Sequence, residues 1–308
     1  MPHTQSSARL NLRIAACALT ALVAPWSLAQ AAASIDEHRP ASSQGSVEIL
    51  NVAGSIDIQG WNKSEVAVTG TVGKSVEHVD VTGEGDRTTV RVVLKPQHFV
   101  GFGSDGEAHL LVQVPVNSSI SASLVSSDLK VAAVRGDLKL QTVSGNVSGE
   151  GGGDVHANSV SGNVTFTAAA AKAIEVKAVS GDVVLTGGDA DTEVTTVSGN
   201  AKITLGTPSR ARFRSVSGDL SANFAIGSDT QIDGESVSGD IKLEFPKMPA
   251  ADFDIQTFSG EIKNCFGPKP AEPRHGPGSR LTFKSGDSRA RVIISTKSGD
   301  VSMCAKGS

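Results

Sequence analysis

Eight polar side chains capable of chemistry stand directly after the glycine of one recurring phrase. Asp182, Asp219, Asp240, Glu261 and Asp300 alternate irregularly with Asn146, Asn163 and Asn200. If these positions stack on neighbouring strands, their carboxylates come to about 5 Å from one another. That is close to the separation with which retaining glycosidases work, and oxygens so arranged are also what Ca²⁺ takes as ligands. The pattern itself argues for something plainer. An enzyme sets one acid apart, whereas these copies are equivalent. Asp and Asn recur at tight turns because their side chains bond nearby backbone groups and tolerate left-handed geometry. The expectation is therefore a repeated turn with no catalytic residue, no metal and no cofactor. A polysaccharide-acting hydrolase or lyase and a calcium-stabilised module stand as the alternatives.

Three further groupings carry potential chemistry. Arg210, Arg212 and Arg214 alternate with Ala211 and Phe213, so on a strand their guanidinium groups share one outward face. Such a stripe could hold anionic polysaccharide or headgroups, since Arg pairs well with phosphate and carboxylate. A solvated face is the plainer reading. Cys265 and Cys304 each lie five residues after a repeat glycine, Gly260 and Gly299. On neighbouring coils they would reach the Cα separation a disulfide needs, and pairing is the expectation. GFGSDG at 101–106 fits G-x-G-x-x-G. The alternating EAHLLVQV that follows is a strand and cannot open the helix a pyrophosphate site requires. It is expected to be a glycine-rich turn.

The elements that must position these residues come from one recurring phrase. It reads TVSGNV (142–147), SVSGNV (159–164), AVSGDV (178–183), TVSGNA (196–201), SVSGDL (215–220), SVSGDI (236–241), TFSGEI (257–262) and TKSGDV (296–301). LVSSDL at 124–129 is a first copy with Ser127 in place of glycine. The glycines are Gly145, Gly162, Gly181, Gly199, Gly218, Gly239, Gly260 and Gly299, spaced by 17, 19, 18, 19, 21, 21 and 39 residues. A period near 20 marks a stacked repeat. Apolar residues two before, two after and four after each glycine describe strands with one buried face. The fold class expected is all-β, a parallel β-solenoid of about nine coils over 117–304, with an irregular β cap over 46–116. The glycines turn the chain, because glycine takes positive φ without steric penalty. The Pro/Gly-rich stretch 267–278 is expected to be a surface loop.

The N-terminus has a different character. Arg9 and Arg13 precede an apolar run, and Ala29-Gln30-Ala31 is a small-x-small cleavage site. Residues 1–31 are thus expected to be a secretory signal peptide, and the polar stretch 32–45 a disordered lead. Removing 1–31 takes two arginines from 28 basic against 32 acidic residues, leaving 26 against 32. A mildly acidic chain does not fit a nucleic-acid binder. No stretch beyond the leader approaches 18 apolar residues, so no membrane-spanning helix is expected.

The opening AGSIDIQGW, the middle VPVNSSISASLVSSDLKV, the serial VSG[ND]V phrases and the closing RVIISTKSGDVSM resemble the bacterial adhesin-like family grouped as domain of unknown function 4097. The likeness covers about 46–304. It implies one β-solenoid domain on an exported protein with an adhesin role, and it carries no established catalytic residues. With the leader expected at 1–31, the location expected is the periplasm, the outer-membrane surface or outside the cell. The expected partners are envelope or matrix polysaccharide or another surface protein. The function expected is non-enzymatic adhesion or envelope scaffolding through a repetitive surface.

Overall fold

A computed structural model describes residues 33–96, 106–271 and 278–306, whose regular elements are 24 β-strands in one continuous hydrogen-bonded system. The expected signal peptide, and all but the last residue of the 101–106 turn, lie outside the described residues.

The middle of the chain builds two parallel stacks. The first holds β8 (Leu138–Ser144), β10 (Val155–Ser161), β12 (Ala173–Ser180), β14 (Asp191–Ser198), β16 (Arg210–Ser217) and β18 (Gln231–Ser238). The second holds β9 (Val147–Gly151), β11 (Val164–Ala168), β13 (Val183–Gly187), β15 (Ala201–Thr204), β17 (Leu220–Asn223) and β19 (Ile241–Phe245). Each repeat supplies one strand to each stack, joined through the glycine phrase. Registers run straight down both: Val176 pairs Val194 and Val194 pairs Phe213, while Leu185 pairs Ile203 and Ile203 pairs Ala222. The inward residues form one core from end to end. Each fully buried Val, Leu, Ile or Phe contributes about 1.5–3 kcal/mol relative to exposure, which is what holds strands of only four to eight residues in place.

Both ends depart from simple sequence order. The C-terminal part comprises β20 (Ala251–Ser259), β21 (Ile262–Asn264), β22 (Ser279–Ser285), β23 (Arg291–Ser298) and β24 (Val301–Ala305). β23 pairs β18 on one side and β20 on the other, and β24 lies likewise between β19 and β21. The last rung in sequence is therefore an inner rung in space. The 39-residue gap holds more than a loop, since β22 folds antiparallel onto β20. Phe266 and Phe283 plug this end, with Phe283 stacked on the buried Phe253 at 4.8 Å between ring centroids.

The N-terminal end does the same. β2 (Ser46–Trp61) and β7 (Ser119–Val134) each run through the corner and contribute to both stacks. β5 (Arg87–Leu94) and β6 (Ala108–Pro115) pair with the other edge of β2, so β2 is also an inner rung. β4 (Val76–Glu84) closes β5, and β3 (Glu65–Val72) closes β6, both antiparallel. Residues 33–40, within the stretch expected to be a disordered lead, instead form β1 (Ala33–Pro40), antiparallel to β3. Their polarity belongs to an edge strand, where exposed Asp36, His38 and Arg39 deter further pairing. Composition registers that exposure but not the backbone pairing beneath it.

Candidate interaction surface

The corner between the stacks is built from five positions of the phrase. At the glycine, φ is positive in every copy, 130° at Gly218 for example. A Cβ there would overlap the carbonyl oxygen of Gly199 on the rung below. Position and close approach together demand glycine. Ser127 departs from the pattern for a reason visible in space. Its side chain is buried, and its Oγ accepts a hydrogen bond from Asn51 Nδ2 at 2.9 Å.

The Asp or Asn after the glycine forms a continuous spine. Asp128 Oδ1 accepts from the backbone N–H of Asn146, and Asn146 Oδ1 from that of Asn163. The chain of bonds continues through Asp182, Asn200, Asp219, Asp240 and Asp300 to Glu261, at 2.8–3.0 Å. Every rung's corner N–H is thereby satisfied by the rung before it, where the tight turn leaves no strand partner. The candidate catalytic or calcium-binding acids are thus joined by one repeated bond, and Asp and Asn serve it equally because both offer Oδ1. Among the described residues no cluster of three or more His, Cys, Asp or Glu is arranged to hold a metal.

Three residues before the glycine lies a buried position filled mostly by Ser or Thr. Ser159 and Ser215 donate to the carbonyls of Gly162 and Gly218 at 3.1 Å, and Thr257 donates across to Gly299 at 3.0 Å. The residue two before the glycine was expected on the buried face, and here the structure corrects the sequence reading. Val143, Val160, Val179, Val197, Val216 and Val237 are 42–49% exposed. The tight turn breaks the two-residue alternation, so three-before and two-after face inward while two-before faces out. Val52 and Val125 extend this column at one end, and Lys297 and Phe258 at the other. A groove runs beside the valine ridge. Its floor is the buried Ser/Thr position and its far wall the outward residues four before the glycine, such as Gln141 and Asn158. The same columns line a cavity of about 710 Å³ at the C-terminal rungs, beside Phe258 and Lys297.

The arginine stripe sits on the outer face of the first stack. Arg214 lies between Glu193 (3.3 Å) and Glu235 (3.4 Å) on the flanking rungs, and Arg212 lies 3.9 Å from Asp233. Arg210 makes no ion pair among the described residues. Two of the three guanidinium groups are thus engaged by carboxylates of this chain. Nearby, Glu175 is held below the usual carboxylate value by the Lys177 ammonium and then by His156. Cys265 and Cys304 form the expected disulfide, with Cα atoms 4.9 Å apart, joining the end rung to the inserted one.

A family model described as Toastrack DUF4097 matches residues 46–303. No curated protein matches the chain. Several solved structures are similar to it, among them the following three. One from Clostridium sporogenes ATCC 15579, described as a "putative cell adhesion protein", shares 8% identity over 89% of this chain and 100% of that one, with a TM-score of 0.29. One from Bacteroides fragilis NCTC 9343, described as a "putative adhesin", shares 13% over 88% and 97%, with a TM-score of 0.43. One from Parabacteroides distasonis ATCC 8503, described as a "putative lipid binding protein", shares 12% over 88% and 96%, with a TM-score of 0.39.

Proposed function

The chain belongs to the Toastrack DUF4097 family, and from that premise we propose a non-enzymatic binding protein of the cell envelope, an adhesin or scaffold. On this reading residues 1–31 direct export and are removed, and 46–304 act as one domain in the periplasm, at the outer surface or outside the cell. The disulfide supports an oxidising compartment.

The observation that carries the reading is the corner spine. Asp182, Asp219, Asp240 and Asp300 each accept a backbone N–H from the next rung in the same way, and Glu261, on the end rung, only donates its own. No aspartate of the column is set apart. What the molecule offers instead is repetition. The outer face of the second stack presents Thr165, Thr167, Thr186, Thr204, Ser221 and Asn223, hydroxyl and amide groups at regular intervals. A polysaccharide meeting such a face makes many weak contacts whose sum is avidity.

The test is incubation of the protein with a panel of envelope and matrix polysaccharides, reading both retention and released reducing or unsaturated ends. Retention without product supports the reading. Product from any glycan, lost in Asp219→Asn or Asp240→Asn, overturns it.

A further inference from the structure

Among the described residues, twelve large apolar side chains are exposed, and nine of them stand in the single column from Val52 to Phe258. Apolar exposure is normally scattered, and a contiguous patch marks a contact surface. We propose that this ridge and the groove beside it form an interface with a second copy of the same chain, in a parallel, in-register dimer.

The shape selects the occupant. Ridge and groove run side by side along the stack, one residue apart, with the same rung spacing. The surface is therefore complementary to itself. A two-fold axis parallel to the stack carries the ridge of each copy into the groove of the other, an isologous contact. A two-fold axis across the stack would set ridge on ridge, valine against valine, and leave both grooves empty. The parallel arrangement also brings each rung opposite its own counterpart. Outward residues four before the glycine then face the partner's serines one before it. Lys177, Arg214 and Glu235 would meet Ser180, Ser217 and Ser238 rather than a like charge. The ninth rung opposes the contact: Lys297 enters a groove floored by Thr296 and flanked by Ser295, but it does so beside the Lys297 of the second copy, a repulsion confined to one of the ten rungs.

The size sets the strength. Ten rungs at about 4.8 Å and a strip about 10 Å wide give a planar footprint of roughly 430 Å² on each copy. That total, roughly 900 Å² before corrugation, belongs to weak and reversible associations rather than obligate dimers. The proposal is independent of glycan binding, which uses the outer face of the second stack.

Sedimentation equilibrium over about 1–200 µM should show mass rising from monomer to dimer, the range expected of so small an interface. Val160→Glu combined with Val197→Glu should weaken association at least tenfold, since the ridge buries both. Val184→Glu, equally exposed but on the other stack, should leave it unchanged. In a Cys17→Ser background, Val125→Cys and Val237→Cys should each form disulfide-linked dimers under mild oxidation, because same-rung residues oppose only in the parallel arrangement. A monomer at every concentration overturns the proposal. So does a dimer indifferent to the double glutamate variant, or cross-linking confined to mid-column positions. Ridge-dependent sedimentation of a monomer with phosphatidylcholine vesicles would assign the ridge to lipid instead.

Discussion

Asp240 separates the scaffold reading of the acidic column from any reading that needs its charge. Its Oδ1 accepts from the N–H of Asp300 at 2.8 Å, and its own N–H donates to Asp219 at 2.9 Å. Asp240→Ala deletes the acceptor and leaves the Asp300 N–H to water. Because the corner is exposed, the loss is the net value of a hydrogen bond, about 1–1.5 kcal/mol, rather than a burial penalty. Asp240→Asn keeps Oδ1 and removes a negative charge standing between Asp219 and Asp300. Two like charges about 4.8 Å apart in a water-like dielectric repel by roughly 0.9 kcal/mol before screening. Losing two such repulsions offsets the weaker acceptor strength of an amide. The expected stability order is Asn at or slightly above wild type, and Ala about 1–2 kcal/mol below. Urea denaturation at constant m-value reads it directly. Added salt should shrink the gap between Asn and wild type by screening and leave Ala low. Ala equal to wild type would refute the spine. Asn falling to the level of Ala would refute the equivalence of Asp and Asn, and show that the column's charge is used.

Gly218→Ala should cost at least about 3 kcal/mol, because positive φ and overlap with a neighbouring backbone oxygen act together. Gly85→Ala, at φ 59° with open space around it, should cost only about 1–2 kcal/mol; equal losses would remove the role of close approach. Cys304→Ser should lower stability by about 4 kcal/mol, the loop-closure value for a 39-residue separation, and a reductant should do the same to wild type and nothing to the variant. The Glu175 carboxyl should titrate below 4.5 by NMR, and Lys177→Met should raise its midpoint. Since its folded value is depressed, the stability it contributes is present above the unfolded value and fades as pH falls through the folded one. Wild type should thus lose slightly more stability than Glu175→Gln on acidification, and an identical loss would count against the ion pair.

The period, the glycine corner and the pairing of Cys265 with Cys304 were legible because each depends on local sequence repeated at a fixed offset. The valine ridge was misread because strand alternation was carried through the corner, where it fails. From three before the glycine to two after is five residues, an odd step, so one parity change must fall between them. A sharper signal was present. Thr142, Ser159, Thr196, Ser215 and Ser236 repeat a small hydroxyl immediately before the valine, and a buried corner with a carbonyl to satisfy has use for one. The strand at 33–40 and the nesting of end rungs were not legible, because they are choices of partner. Nothing in RVIISTKSGDV distinguishes an inner rung from an outer one; its neighbours on either side have the same pattern.

That nesting answers the problem a solenoid has at its ends. A terminal rung exposes a strand edge, and a terminal segment of chain frays. If the first and last rungs in sequence were also the first and last in space, both weaknesses would coincide. Here they are separated. The open edges fall to β5/β6 and to β20/β21, where the short antiparallel strands β4, β3 and β22 close β5, β6 and β20. The sequence-terminal rungs, β2 and β23/β24, are paired on both sides. Fraying either one means breaking two ladders rather than one, and at the C-terminal end the disulfide adds a covalent tie between the inserted rung and the outer one. The consequence reaches function. A surface that binds by adding equal contributions from successive rungs is only as long as its ordered rungs, and a stack whose ends do not open presents its whole length.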